Sequence, residues 1–111
     1  MVTAIANPQI NVLHLEGSFH AANAAQLQAR LTRAVQSSTN LPLLVDMEGV
    51  EFLDSAGLMA LVSALSLAQK LKRRFSLCSV SPSIRILFEL TQLDRVFEIF
   101  ANRAAFEAAL R

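Results

Sequence analysis

Short apolar runs of strand length alternate with segments of helical periodicity along most of this chain, and that alternation restricts the fold more than any other feature. Ile10 to Leu15 is a β-like run closed by Glu16-Gly17. From Asn23, the positions Ala24, Leu27, Leu31, Ala34 and Val35 follow helical spacing, with Asn23 as N-cap and Gln26 completing a capping-box pattern. Leu41 to Met47 is apolar on both sides, as a doubly covered central strand should be. Leu58 to Leu71 is helical, and Phe75 to Val80 is strand-like. Ser81-Pro82 starts another helix with Ile84, Leu87 and Phe88 inward. Val96 to Phe100 alternates as a strand, and Asn102 caps a last helix through Phe106 and Leu110. Strands separated by helices predict an α/β fold with a mostly parallel sheet covered by about four helices. Weak spacing at Val2 to Ile5, before a turn at Asn7-Pro8, adds an N-terminal antiparallel strand to this expectation.

With 111 residues, the chain has the length of one domain, and 53% hydrophobic residues exclude a disordered tail. A formal net charge of +1 offers no global attraction to nucleic acid or acidic lipid. One cysteine excludes a disulfide framework and a cysteine-rich zinc site, and His14 and His20 are too few for a metal centre of their own. The inventory thus points to no metal and no cofactor. No run reaches the roughly 18 apolar residues of a membrane span, and Met1 to Pro8 lacks a signal-peptide pattern. A cytoplasmic domain without membrane insertion is the expectation.

In an α/β sheet the functional crevice lies beyond the carboxyl ends of the strands. The most distinctive segment there runs from Glu48 to Leu58, pinned to the core by Val50, Phe52 and Leu53. Asp54 and Ser55 fall at a helix start, where free amides favour acceptor oxygens, so either residue serves as N-cap or as site residue. Gly57 costs about 1 kcal/mol inside a helix relative to alanine, which calls for tight packing or close approach by a partner. Leu58, Leu61, Val62, Leu65 and Ala68 form the expected buried stripe. Ser55, Met59, Ser63, Ser66, Lys70 and Arg73 form the opposite face. Small polar residues around one adaptable methionine suit a docking surface, although an isolated exposed Met59 has no necessary meaning.

Leu44-Val45-Asp46-Met47, followed by Val50-Glu51-Phe52-Leu53-Asp54-Ser55-Ala56-Gly57-Leu58, resembles the signature of the STAS-domain anti-sigma factor antagonists. Leu15-Glu16-Gly17 and the stretch from Leu77 to Phe88 extend the resemblance over nearly the whole chain, so that 1–111 reads as one STAS domain. The resemblance implies a serine, here Ser55, phosphorylated by a cognate anti-sigma serine kinase. The unmodified form would bind that anti-sigma factor and free the sigma factor, and a PP2C-type phosphatase would reset the switch. Together with the outer helix face read above, the expected partner surface is Asp54, Ser55, Ala56, Gly57, Met59, Ser63 and His20. His20, in the loop after Leu15-Glu16-Gly17, stands where many relatives carry an acidic partner-contact residue, and Met59 where many carry a smaller one.

Other chemistries fit less well. Cys78 and Arg85 have six residues between them, one more than a phosphatase loop takes, with no glycine among the six. Asp46 lacks the acidic pair and the lysine of a receiver domain and reads as a strand-end carboxylate bonded to loop amides. Lys70, Lys72, Arg73 and Arg74 read as a solvated helix C-terminus, with no interleaved aromatic for nucleic acid. Ser55 lacks the preceding glycine of a nucleophile elbow. A non-enzymatic binding module results. The alternative is an unphosphorylated STAS subunit docked on a transporter ATPase or another regulatory assembly.

Overall fold

A computed structural model describes residues 9–37 and 41–110. The order is β1 (Asn11–Phe19), α1 (Ala24–Val35), β2 (Leu43–Leu53), α2 (Ser55–Lys70), β3 (Phe75–Cys78), α3 (Pro82–Leu90), a 3-10 turn (Leu93–Arg95), β4 (Glu98–Phe100) and α4 (Arg103–Ala109). The strands form a four-stranded sheet in the order β1-β2-β3-β4, and all three pairings are parallel. The expected antiparallel strand at Val2 to Ile5 lies outside the described residues.

Alternation along the strands divides the core between the two sheet faces. Leu43, Val45, Met47, Phe75 and Leu77 join Leu27, Leu31 and Val35 of α1, Leu58, Leu61 and Leu65 of α2, and Ile84 and Phe88 of α3 in one cluster. Leu44 and Cys78 point to the other face, where Phe106 of α4 covers them beside Ile10, Phe100 and Leu110. α3 and α4 begin as their residue types predict: Ser81 Oγ accepts from the Ile84 amide, and Asn102 Oδ1 accepts from the Ala105 amide. β4 starts at Glu98 rather than Val96 because the 3-10 turn comes first. Phe97 then packs its ring 5.5 Å from Phe88 and 6.3 Å from Phe75.

β2 is longer than its apolar run suggests. It continues through Glu48 to Leu53 and stays paired with β1, so the segment expected as a loop is strand. Between His14↔Asp46 and Glu16↔Gly49, and again between Gly17↔Val50 and Ser18↔Phe52, β2 carries one extra residue. Each such bulge reverses which face the following side chain takes. Met47, Val50 and Leu53, three apart, are therefore all buried, whereas Phe52 stands 50% exposed. The expectation that Phe52 turns inward fails on that second bulge.

The sulfur of Cys78 is sealed between β3 and α4. The residue is fully buried, and desolvation pushes its thiol above the ordinary range. A thiol reagent is expected to label Cys78 only as fast as the protein unfolds, and rapid labelling of the folded state would contradict the packing.

Candidate functional site

The carboxyl ends of β1 and β2 lie side by side, with Phe19 opposite Leu53, and each strand leads directly into the segment before its helix. Asp54 joins the two. Its amide donates to Phe19 O at 3.1 Å. Its Oδ1 accepts from the Gly57 amide at 3.0 Å, and its Oδ2 accepts from the Ala21 amide at 3.2 Å. Asp54 is thus the N-cap of α2, in extended conformation, and Ser55 is the first helical residue. Because Asp54 caps the helix, the Ser55 side chain is left at the surface.

Gly57 is buried at this junction. A Cβ there would meet Leu53 Cδ1 at 2.7 Å, Phe19 Cβ at 3.1 Å and Phe19 O at 3.2 Å. Close packing of the first turn of α2 on the end of β1 therefore accounts for the glycine.

The turn carrying His20 is closed by its own hydrogen bonds. The His20 amide donates to Asn23 Oδ1 at 2.8 Å, and Asn23 Nδ2 donates to Ser18 O at 2.8 Å. The Asn23 amide donates to His20 O at 2.9 Å, and the Ala22 amide donates to His20 Nδ1 at 3.3 Å. Asn23 keeps the N-cap position of α1, but its side chain makes no capping bond. The expected capping box is replaced by this clasp, because the side-chain oxygen is taken by the turn.

Along α2, Ser55 and Met59 are exposed, with Met59 at 56%, while Ala56 and Ser63 are half-buried. The buried side is broader than the predicted stripe. Ala60 and Ala64 join Leu58, Leu61, Leu65 and Ala68, whereas Val62 is only half-buried. Asp54, Ser55, Ala56, Gly57 and Met59 thus share the first turns of α2, Ser63 lies further along the helix, and His20 sits on the adjoining turn. Asp46 lies within β2 rather than at its end. It accepts from the Glu48 amide at 2.9 Å, as a carboxylate bonded to a nearby amide, and it also pairs with His14 Nδ1 at 3.2 Å.

The four basic residues at the C-terminal end of α2 do not form one cluster. Arg73 is buried and bonded to backbone carbonyls, in contrast to its expected place on the exposed face of α2. Arg74 makes two bonds to Glu98, at 2.9 and 2.6 Å, with its guanidinium 5.4 Å from the centre of the Phe106 ring. Lys70 and Lys72 are exposed and match the solvated reading. Among the described residues, no group of three or more His, Cys, Asp or Glu side chains is arranged to hold a metal ion. No helix among them is long and apolar enough to cross a membrane.

The parallel strands are joined in order by α1, α2 and α3, and α4 covers the second face of the sheet. Residues 1–105 match the STAS domain model, and the chain belongs to this family. Its relatives include BtrV of Bordetella bronchiseptica, named as an anti-sigma factor antagonist, which is 28% identical over 97 residues, covering 87% of this chain and 83% of BtrV. The crystal structure of a Thermotoga maritima protein described as an anti-sigma factor antagonist shares the fold with a TM-score of 0.79 and 23% identity, over 96% of this chain and 97% of the other. A sulfate transporter family protein of Wolinella succinogenes has the same fold, with a TM-score of 0.76 and 16% identity, over 98% and 88% of the two chains.

Proposed function

We propose that this chain is a phosphorylatable anti-sigma factor antagonist acting in the cytoplasm as a binding module rather than an enzyme. In its unmodified form it docks on an anti-sigma serine kinase and releases the sigma factor. Phosphorylation of Ser55 ends the docking, and a PP2C-type phosphatase restores it. The observation that carries this reading is the division of labour at the head of α2. Asp54 supplies the cap, and Ser55, one residue on, is exposed beside a half-buried alanine and a buried glycine. A kinase site can close over a hydroxyl placed in this way. Similarity to BtrV supports the antagonist branch over the transporter branch, whose likeness here is of fold alone.

The test mixes the chain with ATP, magnesium and each anti-sigma serine kinase of its host. Wild type should take up one phosphate and Ser55→Ala none, while Ser55→Ala still forms the complex. Undiminished phosphorylation of Ser55→Ala would refute the assignment, and stable capture by a transporter ATPase with no kinase binding would favour the other branch.

Met59 is the apolar anchor of the same surface, with a side chain that adapts to a partner pocket. Met59→Ala is expected to weaken the complex roughly tenfold or more while the melting temperature stays nearly unchanged, because little core contact is lost. A melting temperature lowered by many degrees would instead assign Met59 to the core.

A further inference from the structure

We propose that Asp54 is a positioning residue that fixes two separate segments, the head of α2 and the His20–Asn23 turn, into one docking surface for the anti-sigma kinase; this rests on the antagonist reading above. Its two carboxylate oxygens serve different segments. Oδ1 holds the Gly57 amide of α2, and Oδ2 holds the Ala21 amide of the turn. The Asp54 amide adds a third tie, to Phe19 O at the end of β1. Because the two amides are bound by different oxygens, a side chain with one acceptor oxygen at the Oδ1 position leaves the Ala21 amide without its partner.

The turn is built to be presented. Amides of His20, Ala21, Ala22 and Asn23 all have acceptors: Asn23 Oδ1, Asp54 Oδ2, His20 Nδ1 and His20 O. The bond from Ala21 alone among these leaves the turn, and it anchors the turn to the segment carrying Ser55. Because His20 Nδ1 accepts from the Ala22 amide, the proton of the neutral ring sits on Nε2. An exposed N–H donor therefore stands on the second segment, at an orientation set by the turn. A partner that meets Ser55 and Met59 and also carries an acceptor for His20 gains from having both segments held in place before contact.

Asp54→Asn separates the two duties. Its one carbonyl oxygen can retain the Gly57 amide, whereas its NH2 group cannot accept from Ala21. Asp54→Ser is a second variant with a good N-cap oxygen and no second acceptor. Amide exchange is followed in both, together with binding to the host's anti-sigma serine kinases, with ADP in place of ATP so that no phosphate is transferred. The expected result is at least tenfold faster exchange at Ala21, retained protection along α2 and binding weakened roughly tenfold. In a His20→Ala background, the binding loss caused by Asp54→Asn should shrink, since the two residues then act through one segment. Unchanged exchange at Ala21 would overturn the proposal. So would a full, additive binding loss in the His20→Ala background, which would make Asp54 a direct contact. Failure of every kinase to bind wild type would instead bring down the antagonist reading, and this inference with it, whatever the exchange data show.

Discussion

Phosphorylated at Ser55, the protein is expected to bind its anti-sigma kinase about 10⁴-fold more weakly than the unmodified form, while its melting temperature changes little. The phosphate adds about −1.5 to −2 charges and three acceptor oxygens. At a helix N-terminus that charge is tolerated by the backbone dipoles, so the fold survives. The cap itself is already occupied, because the Gly57 and Ala21 amides are bound by the adjacent Asp54 carboxylate. No Lys or Arg lies between residues 34 and 69 to neutralise the dianion from the same stretch of chain, whereas Glu48, Glu51 and Asp54 all do lie there. A dianion with no cation along this stretch is expected to keep its hydration shell, and an interface fitted to the bare hydroxyl strips that water. Moving a complex from nearly all bound to nearly all free takes roughly 5.5 kcal/mol, within reach of one buried, unpaired dianion. Calorimetric titration of the phosphorylated and unmodified forms against the same kinase measures the ratio. Equal affinities would refute the mechanism, and Ser55→Glu, a weaker anion, should fall between the two forms.

How much of this architecture is legible in the chain follows the range of the interactions involved. The helix starts at Ser81 and Asn102, and the cap at Asp54, depend on neighbours three residues away and are visible in residue type alone. The alternation that predicts a parallel sheet is likewise local. Phe52 is different. Its exposure follows from two extra residues in β2 relative to β1, a property of the strand pair, and the only trace in the chain is the three-residue spacing of Met47, Val50 and Leu53. Asn23 looks like a cap because asparagine before a helix usually is one; its oxygen goes instead to the His20 amide. The candidate site divides in the same way. Ser55 and Met59 are legible on a helical wheel, whereas the bond from Ala21 to Asp54 spans 33 residues and exists only once β1 and β2 are paired.

Arg73 is the sharpest case, and its replacement is expected to cost more stability than Ser55→Ala, Met59→Ala or Asp54→Asn. In the sequence it is one of four basic residues at a helix C-terminus, an ordinary solvated terminus. The turn that ends α2 decides otherwise. Lys72 takes φ +56°, its amide returns to Gln69 O at 3.1 Å, and the Arg73 amide returns to Ala68 O at 2.8 Å, which is the Schellman pattern. That reversal sends the Arg73 side chain inward, where it is 8% exposed. Its Nη1 donates to Ala34 O at 2.5 Å, to Val35 O at 3.0 Å and to Ser37 Oγ at 2.8 Å, and its Nε donates to Leu41 O at 2.8 Å. One guanidinium thus closes the C-terminus of α1 and fastens it to Leu41, just ahead of β2. Burial pulls its pKa below the usual arginine value, but arginine stays charged at any ordinary pH, so the bonds are always charge-assisted. Arg73→Met preserves much of the volume and removes the donor shared by the Ala34, Val35 and Leu41 carbonyls, at a cost of about 3 kcal/mol. For a chain of this size that corresponds to a fall in melting temperature of roughly 10 to 15 °C. Arg73→Lys should recover only part, since an ammonium cannot reproduce the planar fork. The α2 helix spans about 24 Å, with Ser55 at its far end, so kinase affinity well below the transition should be the same as in wild type. Thermal unfolding and low-temperature binding, measured on the same Arg73→Met preparation, test both halves. A melting temperature within two or three degrees of wild type (a small fraction of the roughly 10 °C expected) would mean that the buried guanidinium contributes no net stability.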